Sequence, residues 1–268
     1  MNVDTQYIIE VAKKAGQAIM EIYEKTDGIQ VKSKIDNSPL TNADIAAHET
    51  IISGLKSKFP DTPIISEEGN IGNPQKSEFS WLVDPLDGTK EFIKRNGMFT
   101  VNIALMKKDM DKWNPIIGVV HAPVLNKTWF GNTESDTAEL IIKDNKSIII
   151  SVNKNIDNPI QLVASGSHRN NRDEIFAESL GPHDLIRMGS SLKACIVAEG
   201  SAHLYPRFGP TSCWDIAAAH AVVSAAGGIL VGPDGQNLQY DIMDKILNPY
   251  FLVACSSHWN NLWINNQD

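Results

Sequence analysis

Cysteine is scarce in this chain of 268 residues, which contains only three, Cys195, Cys213 and Cys255. They are far apart, odd in number and form no CxxC motif, so the sequence predicts no disulfide framework. This usage fits a reducing compartment, in which such cysteines serve mostly as small buried apolar residues.

Positive charge is also in short supply. Lys and Arg total 24 against 32 Asp and Glu, which gives a formal net charge of −8. No overall basic field is therefore available to attract nucleic acid, and we predict no nucleic-acid partner. A phosphorylated ligand would need a local cationic site, built from a metal ion or from clustered Lys and Arg side chains.

Long apolar runs are absent as well. The most apolar segment, Ile216 to Val231, is interrupted by His220, Ser224 and two glycines, and it is too short to span a bilayer. The first residues lack the charged-then-apolar order of a signal peptide. We predict no transmembrane segment and a cytoplasmic location, which leaves peripheral association with the inner membrane and the oligomeric state open.

What the chain does contain is an ordinary globular composition, 42% hydrophobic and 21% charged. Helical spacing predicts an amphipathic helix over about Asp4 to Lys25, with a second helix soon after it. Apolar alternation from Thr100 to Val152 predicts a largely antiparallel sheet, and strands alternate with helices further on. These patterns predict one domain with an α+β half over about 1–155 and an α/β half over about 156–268.

One stretch, Trp81 to Thr89, runs from three apolar residues directly into two carboxylates. Its first part predicts a short buried strand, and a proline and a glycine allow the backbone to turn sharply after Asp84. Such a turn can aim Asp84, Asp87 and the carbonyl of Leu86 at one point, where hard oxygen ligands suit Mg²⁺ or Mn²⁺. The alternative is an ordinary acidic turn, since Asp, Pro and Gly are common turn residues.

Three further acidic residues lie where predicted elements begin or end. Glu67 belongs to the stretch Pro63 to Gly69, a short apolar strand that ends in carboxylates and a glycine, and α/β geometry can place it beside the carboxylates of the central stretch. Asp44 stands three residues after Thr41 in a capping-box pattern, which is a complete structural explanation of it. Asp215 lies near the start of a helix, where a favourable dipole and capping contact is an alternative explanation of it.

Candidate anion contacts occur in the second half. Gly189 to Lys193 follows a predicted strand and begins a helix, so backbone N–H groups, two hydroxyls and one ammonium can cradle a phosphate. Simple N-capping by Ser190 is the alternative. Capping does not explain Lys193 in the first turn, where the helix dipole disfavours a cation. Further candidates are Arg207 at a strand end, and Ser167 and His168 in a polar loop.

Three motifs taken together resemble the inositol monophosphatase superfamily of Mg²⁺-dependent, lithium-sensitive phosphatases. They are ISEEG (Ile65 to Gly69), WLVDPLDGT (Trp81 to Thr89) and WDIAAA (Trp214 to Ala219). The match runs nearly end to end and in order, and the central motif is complete. The resemblance implies an α+β layered fold, an αβαβα sandwich with a mainly antiparallel N-terminal sheet and a smaller mixed C-terminal sheet.

Within that superfamily the chain is most similar to the 3′(2′),5′-bisphosphate nucleotidase group, which converts adenosine 3′,5′-bisphosphate into AMP and phosphate in bacterial sulfur assimilation. The similarity lies in GTKEF (Gly88 to Phe92), GSSLKACIVAEG (Gly189 to Gly200) and LYPRFGPTSCWD (Leu204 to Asp215). One departure is Gly166, which stands where that group often has arginine. This departure concerns the expected contacts to the adenine and to the 5′-phosphate, not the metal site.

Carried onto this chain, the resemblance implies that Glu67, Asp84 and the Leu86 carbonyl hold one metal ion. Asp84, Asp87 and Asp215 hold a second, and Asp44 helps to bind a third. The implied cofactor is Mg²⁺, at roughly two or three ions per site, with Mn²⁺ as an alternative. The implied catalytic residues are Asp44, Thr89 and Glu67, and the implied substrate contacts are Lys90, Ser167, His168, Ser190, Lys193, Arg207 and Asp215.

The implied activity is Mg²⁺-dependent hydrolysis of a phosphate monoester by an activated water, with adenosine 3′,5′-bisphosphate as the small-molecule partner. An inositol monophosphatase or a sugar bisphosphatase would share the metal site, so the acidic residues do not separate these alternatives. A non-catalytic nucleotide-binding sensor is a further alternative. The intact acidic set argues against it, because a binder without catalytic demand need not keep every one of these residues.

Overall fold

The computed structural model describes residues 3–25, 31–33, 39–156, 159–165, 171–243 and 245–267. It begins with two helices, α1 (Thr5–Tyr23) and α2 (Asn42–Lys58), which confirm the predicted pair. The Asp4 side chain caps α1 by accepting a hydrogen bond from the backbone N–H of Tyr7 at 3.2 Å. A short antiparallel pair, β1 (Val31–Ser33) and β2 (Pro39–Thr41), lies between the helices in sequence.

The larger sheet has seven strands, which are adjacent in chain order. They are β3 (Ile64–Ser66), β4 (Phe79–Asp87), β5 (Thr100–Asp109), β6 (Lys112–Ala122), β7 (Lys127–Asn132), β8 (Thr137–Ile141) and β9 (Ser147–Ile149). Strands β3 and β4 are parallel, and the other neighbouring pairs are antiparallel. The predicted mainly antiparallel N-terminal sheet is therefore confirmed. A short helix, α3 (Thr89–Ile93), follows β4.

The smaller sheet has five strands in the order β11-β10-β12-β14-β13. They are β10 (Ile160–Ser165), β11 (His183–Met188), β12 (Leu204–Arg207), β13 (Ile229–Val231) and β14 (Phe251–Ala254). Strand β10 is parallel to both of its neighbours, whereas β14 is antiparallel to both of its own, so this sheet is mixed as predicted. The helices of this half are α4 (Asn171–Ser179), α5 (Leu192–Ala198), α6 (Cys213–Ala225) and α7 (Asn260–Ile264).

Helices and sheets alternate in layers. Helices α1 and α2 contact each other and the strands β4 to β6, while α6 contacts β5 to β7 and also β13. Helix α5 contacts α6 and the strands β10, β12 and β14, so α5 and α6 connect the two sheets. The predicted layered sandwich is confirmed. The division near residue 155 stays a prediction.

Both faces of the larger sheet are buried, because successive side chains of a strand point to opposite faces. In β4, Trp81 and Val83 join the apolar cluster of α1 and α2, and Leu82 joins the cluster that contains α6. This two-sided burial explains why β4 reads as a continuous apolar run. In the described part of the chain, no helix combines the length and apolar character needed to cross a bilayer.

Two glycines allow α6 to lie very close to the larger sheet. A Cβ atom on Gly118 of β6 would collide with the Ala218 carbonyl oxygen, and one on Gly131 of β7 would collide with the backbone of Val222. The small residues that follow Asp215 in the sequence thus face glycines in the sheet. This close contact sets the position of Asp215 at the start of the helix.

We expect Gly118→Ala to lower the free energy of unfolding by about 1–3 kcal/mol or more, since it forces α6 away from a well-packed sheet. Thermal or urea unfolding measures this loss. The matched control is Gly232→Ala, where the nearest atom to the new Cβ lies at an ordinary 3.4 Å. Equal stability of the two variants would contradict the close-packing explanation.

Candidate active site

Asp84 and Asp87 both belong to β4, at the point where its pairing with β5 is irregular. Asp84 lies opposite Asn102 and Asp87 lies opposite Thr100, so β4 has one residue more than β5 between these two pairs. The predicted sharp turn after Asp84 is therefore wrong, because the chain stays in the strand and forms a bulge. The extra residue brings both carboxylates to one side, whereas residues three apart on a regular strand point to opposite faces.

Asp84 lies in the interior of this acidic cluster and is only 1% exposed. Glu67 is beside it because β3 runs parallel to β4, with the Glu67 N–H donating to the Val83 carbonyl at 3.1 Å. Burial raises the pKa of Asp84 well above its ordinary value of 3.8, and the charges of Glu67, Asp87 and Asp215 raise this pKa further. An ionised Asp84 therefore needs a cation nearby.

Asp215 reaches the cluster from the first turn of α6. The predicted capping contact is present, since the Ser212 N–H donates to Asp215 Oδ2 at 2.9 Å. Burial raises the pKa of Asp215 well above its usual value, and the charge of Asp87 is the next largest cause. Capping thus orients this carboxylate without removing the cost of its burial.

Asp44 and Thr89 meet at the edge of the cluster. Asp44 is 1% exposed, and its Oδ2 accepts hydrogen bonds from the Thr41 N–H at 2.7 Å and the Thr41 hydroxyl at 2.6 Å. This capping box is the predicted one, and it leaves Oδ1 to accept a hydrogen bond from the Thr89 hydroxyl at 3.2 Å. Gly88, with φ of 91°, makes the turn that places Thr89 there. The two interpretations of Asp44, cap and site residue, are therefore compatible.

The donors at the start of α5 are hydrogen-bonded to a carboxylate of the protein itself, that of Asp87. Asp87 Oδ2 accepts hydrogen bonds from the Ser190 hydroxyl, the Ser191 N–H and the Ser191 hydroxyl at 2.6, 2.7 and 2.8 Å. Ser190 has a φ of 54°, in the left-handed region that a non-glycine residue rarely adopts, and this strained conformation aims its hydroxyl at Asp87. Simple N-capping does not describe these serines, because Ser191 makes no side-chain capping bond.

Lys193 and Arg207 bring positive charge to the same region. Lys193 donates to the Ser190 carbonyl, and its ammonium lies 5.3 Å from the centre of the Tyr205 ring. Burial lowers the pKa of Lys193 to about 8, although the nearby charge of Asp87 acts in the opposite direction. Arg207 Nη2 donates to the Pro210 carbonyl at 3.1 Å.

Many of these groups line one pocket of about 160 Å³. Its lining includes the predicted site residues Asp87, Ser190, Lys193, Arg207 and Asp215. Lys90 is exposed on α3 and is not among the lining residues, whereas the neighbouring Glu91 is. Ser167 and His168, which the sequence also indicated, lie outside the described residues.

The donor set suits a hard divalent cation, because it consists of carboxylate and carbonyl oxygens in a partly buried cluster of like charges. Among the described residues, no group of three or more His, Cys, Asp or Glu side chains already has ligating geometry. Protein donors hold some of these oxygens instead: the Leu86 N–H donates to Asp84 Oδ1 at 3.0 Å, and the Thr89 hydroxyl lies 3.3 Å from the Leu86 carbonyl.

Two residues behind Asp87 were not assigned to the site from the sequence. Thr100 and Asn102 of β5 are both buried, and they contact Ser190 and Ser191 at the start of α5. The available signal was two polar residues, two positions apart, at the start of an otherwise apolar strand. That signal is weak, because the sequence does not show which residues these two side chains lie beside. Only the pairing of β5 with β4 places them behind the bulge.

The fold and the acidic site define a protein class, and comparison with known proteins gives the same class. The profile of the inositol monophosphatase family matches residues 2–265. The chain belongs to the inositol monophosphatase family, as its motifs predicted.

Individual relatives point to one group in that family. The protein named 3′(2′),5′-bisphosphate nucleotidase CysQ from Escherichia coli K12 is 45% identical over 249 residues, which cover 92% of this chain and 98% of that protein. The crystal structure of CysQ from Bacteroides thetaiotaomicron has a TM-score of 0.79 at 38% identity, covering 94% of this chain and 97% of the other. The inositol monophosphatase from Anabaena is more distant, with 25% identity, a TM-score of 0.74 and coverage of 97% and 93%.

We expect Asp84→Asn to raise the free energy of unfolding by about 1 kcal/mol when metal is removed with a chelator. The folded state raises the pKa of Asp84, so its ionisation destabilises the folded chain increasingly as pH rises above 3.8 through the raised pKa. A neutral amide removes that cost, and the gain should vanish towards low pH, where Asp84 is protonated in both states. Thermal unfolding across this pH range measures the difference.

The matched control for this stability test is Asp111→Asn, an exposed carboxylate outside the cluster. It should change stability little at any pH. A metal-free Asp84→Asn protein that is less stable than the wild type at neutral pH would contradict the proposed cost of burying the acidic cluster.

Proposed function

We propose that the chain is a Mg²⁺-dependent phosphomonoester hydrolase that converts adenosine 3′,5′-bisphosphate into AMP and phosphate. The observation that carries this proposal is the cluster of Glu67, Asp84, Asp87 and Asp215 beside a pocket lined by Lys193 and Arg207. Without a cation the acidic cluster would repel a phosphate ester. The nucleotidase name of the CysQ relatives supports the choice of substrate.

Glu67, Asp84, Asp87, Asp215 and the Leu86 carbonyl would hold the metal ions. Bound divalent ions lower the pKa of a water and neutralise charge on the attacking and leaving oxygens of an in-line phosphoryl transfer. This demand is large, because phosphate monoesters hydrolyse extremely slowly without a catalyst.

Thr89 and Asp44 form the proton path in this proposal. The Thr89 hydroxyl donates to Asp44 Oδ1 at 3.2 Å, so its oxygen can accept a hydrogen bond from the attacking water. As the water attacks the 3′-phosphorus, the bond between phosphorus and the 3′-oxygen breaks. The water proton passes to Thr89 and the Thr89 hydroxyl proton passes to Asp44, while the leaving 3′-oxygen takes a proton from solvent and becomes the 3′-hydroxyl of AMP. The two Thr41 hydrogen bonds to Oδ2 keep Asp44 oriented for this transfer.

Lys193 and Arg207 would recognise the phosphates of the nucleotide. Both line the pocket with Asp87 and Asp215, so a phosphate at the acidic cluster lies within the same cavity as two cationic side chains. Charge-assisted contacts of this kind favour a ligand with two phosphates over a ligand with one. This preference separates the nucleotidase proposal from an inositol monophosphatase.

The substrate proposal is tested by measuring phosphate release from adenosine 3′,5′-bisphosphate, inositol 1-phosphate and fructose 1,6-bisphosphate, each with and without Mg²⁺. We expect the nucleotide to be hydrolysed with the highest kcat/KM, and only with Mg²⁺. Asp84→Asn, which removes a metal-binding charge while keeping the shape, should lose at least about 100-fold in kcat/KM.

If inositol 1-phosphate or fructose 1,6-bisphosphate is hydrolysed preferentially, the nucleotidase proposal is wrong. The activity is then that of an inositol monophosphatase or of a sugar bisphosphatase, respectively. Tight binding of the nucleotide without any hydrolysis would instead support the sensor. Full activity of Asp84→Asn would contradict the metal assignment.

The charge of Lys193 gives a second test. Because burial lowers its pKa to about 8, the side chain loses its charge as pH rises through that value. KM for the bisphosphate nucleotide should therefore increase above about pH 8, and Lys193→Met should raise KM about 10-fold at lower pH while removing most of this pH dependence. A KM that does not respond to the substitution or to pH would remove Lys193 from the substrate site.

A further inference from the structure

A buried hydrogen-bond network lies behind Asp87, on the side of β5. Thr100 is fully buried, Asn102 is 1% exposed and Ser191 is 3% exposed. Polar side chains in such an interior are costly unless they are hydrogen-bonded. All three are hydrogen-bonded here, and the bonds lead towards a single oxygen atom, Oδ2 of Asp87.

The network has two branches. In one, Asn102 Nδ2 donates to the Ser191 hydroxyl at 2.9 Å, and this hydroxyl lies 2.8 Å from Asp87 Oδ2 and 2.5 Å from the Asp215 carbonyl. In the other, the Thr100 hydroxyl lies 3.0 Å from Asn102 Oδ1 and 2.6 Å from the Ser190 hydroxyl, which donates to Asp87 Oδ2. Asn102 therefore contacts Ser191 directly, and Thr100 contacts Ser190. Because Ser190 donates its hydrogen to Asp87, the single Thr100 hydrogen points either to Ser190 or to Asn102 Oδ1.

Asn102 also determines where the Ser191 hydrogen points. Its amide nitrogen can only donate, so the Ser191 oxygen accepts there. The single hydrogen of that hydroxyl must then point to one of its acceptors, Asp87 Oδ2 or the Asp215 carbonyl. In either case the Ser191 hydroxyl donates to Asp87 or to the backbone of Asp215, and not to β5.

Every hydrogen bond that reaches the Asp87 carboxylate from the described residues ends on Oδ2. A carboxylate held in this way is free to offer its other oxygen, Oδ1, to a cation. Mg²⁺ requires near-octahedral geometry and takes such single-oxygen ligands, whereas Ca²⁺ readily takes both oxygens of a carboxylate. The orientation of Asp87 therefore bears on which cation the site prefers.

We propose that Asn102 is a positioning residue, which acts with Thr100 through Ser190 and Ser191 to hold Asp87 as a single-oxygen ligand and so favours Mg²⁺ over Ca²⁺. The inference rests on the proposed function, because it takes Asp87 as a metal ligand. Asn102 and Thr100 are themselves not among the residues that line the pocket. Partners that orient a ligand in this way commonly change metal affinity 10- to 100-fold when they are removed.

The test is calorimetric titration of the metal-free protein with Mg²⁺ and, separately, with Ca²⁺. Asn102→Leu removes both amide groups, and Thr100→Val removes the hydroxyl with almost no change of shape. We expect Asn102→Leu to raise the Kd for Mg²⁺ at least about 10-fold, with a smaller change for Ca²⁺. Thr100→Val should shift Kd in the same direction, and Thr100→Ser, which keeps the hydroxyl, should restore wild-type binding.

Thr128→Val is the matched control. Thr128 is also buried in the larger sheet, on β7, and its hydroxyl lies 2.8 Å from His121 Nδ1 rather than near the acidic cluster. This variant should lose stability without any change in the Kd for Mg²⁺. Thr100→Val keeps the test decisive if Asn102→Leu does not fold.

If the wild-type protein binds Mg²⁺ and folded Asn102→Leu or Thr100→Val protein binds Mg²⁺ and Ca²⁺ with unchanged affinities, the inference is wrong. The proposed function is not affected by that result. Wild-type protein that binds no Mg²⁺ would overturn the metal assignment and the inference together. Mg²⁺ binding without phosphate release from adenosine 3′,5′-bisphosphate would overturn the proposed function and leave the positioning role of Asn102 supported by the affinities.

Discussion

Like charges held together in a partly buried cluster are the constraint on which this structure depends. Asp84 is buried and Asp215 is partly buried, and the charges of Glu67 and Asp87 raise the pKa of both. The fold tolerates this because separate elements hold the carboxylates: a bulged strand for Asp84 and Asp87, a parallel neighbour for Glu67 and a capped helix for Asp215. Such a cluster reduces stability in the absence of a cation, which is a recurrent property of functional sites.

Asp87 connects the acidic cluster to the pocket. The start of α5 supplies three donors to its Oδ2, and Lys193, in the first turn of that helix, lines the pocket that Asp87 also lines. A movement of α5 would therefore affect the carboxylate and the ammonium together. In the proposed function, the start of α5 therefore positions groups for both metal binding and phosphate binding.

Much of the fold followed from local patterns. The two N-terminal helices, the antiparallel run and the alternating second half were predicted from periodicity, and the capping box at Asp44 was predicted from spacing alone. The bulge was missed, because a proline and a glycine between acids suggest a turn, and only pairing with β5 shows that β4 continues to Asp87. Lys90 was expected at the substrate, yet helix α3 leaves it exposed and places Glu91 in the pocket lining.

The sequence by itself determined the class of chemistry and the layered fold, because the acidic motifs, their order and the apolar periodicities are local properties of the chain. Only the tertiary structure decided what the serines at the start of α5 do, since their partner, Asp87, lies about a hundred residues away. The same is true of Asn102, whose importance depends on a cross-strand pairing and a helix contact. Central to both is the stretch Trp81 to Thr89. Its candidate metal ligands are evident in the sequence, but their geometry depends on β5 and α5.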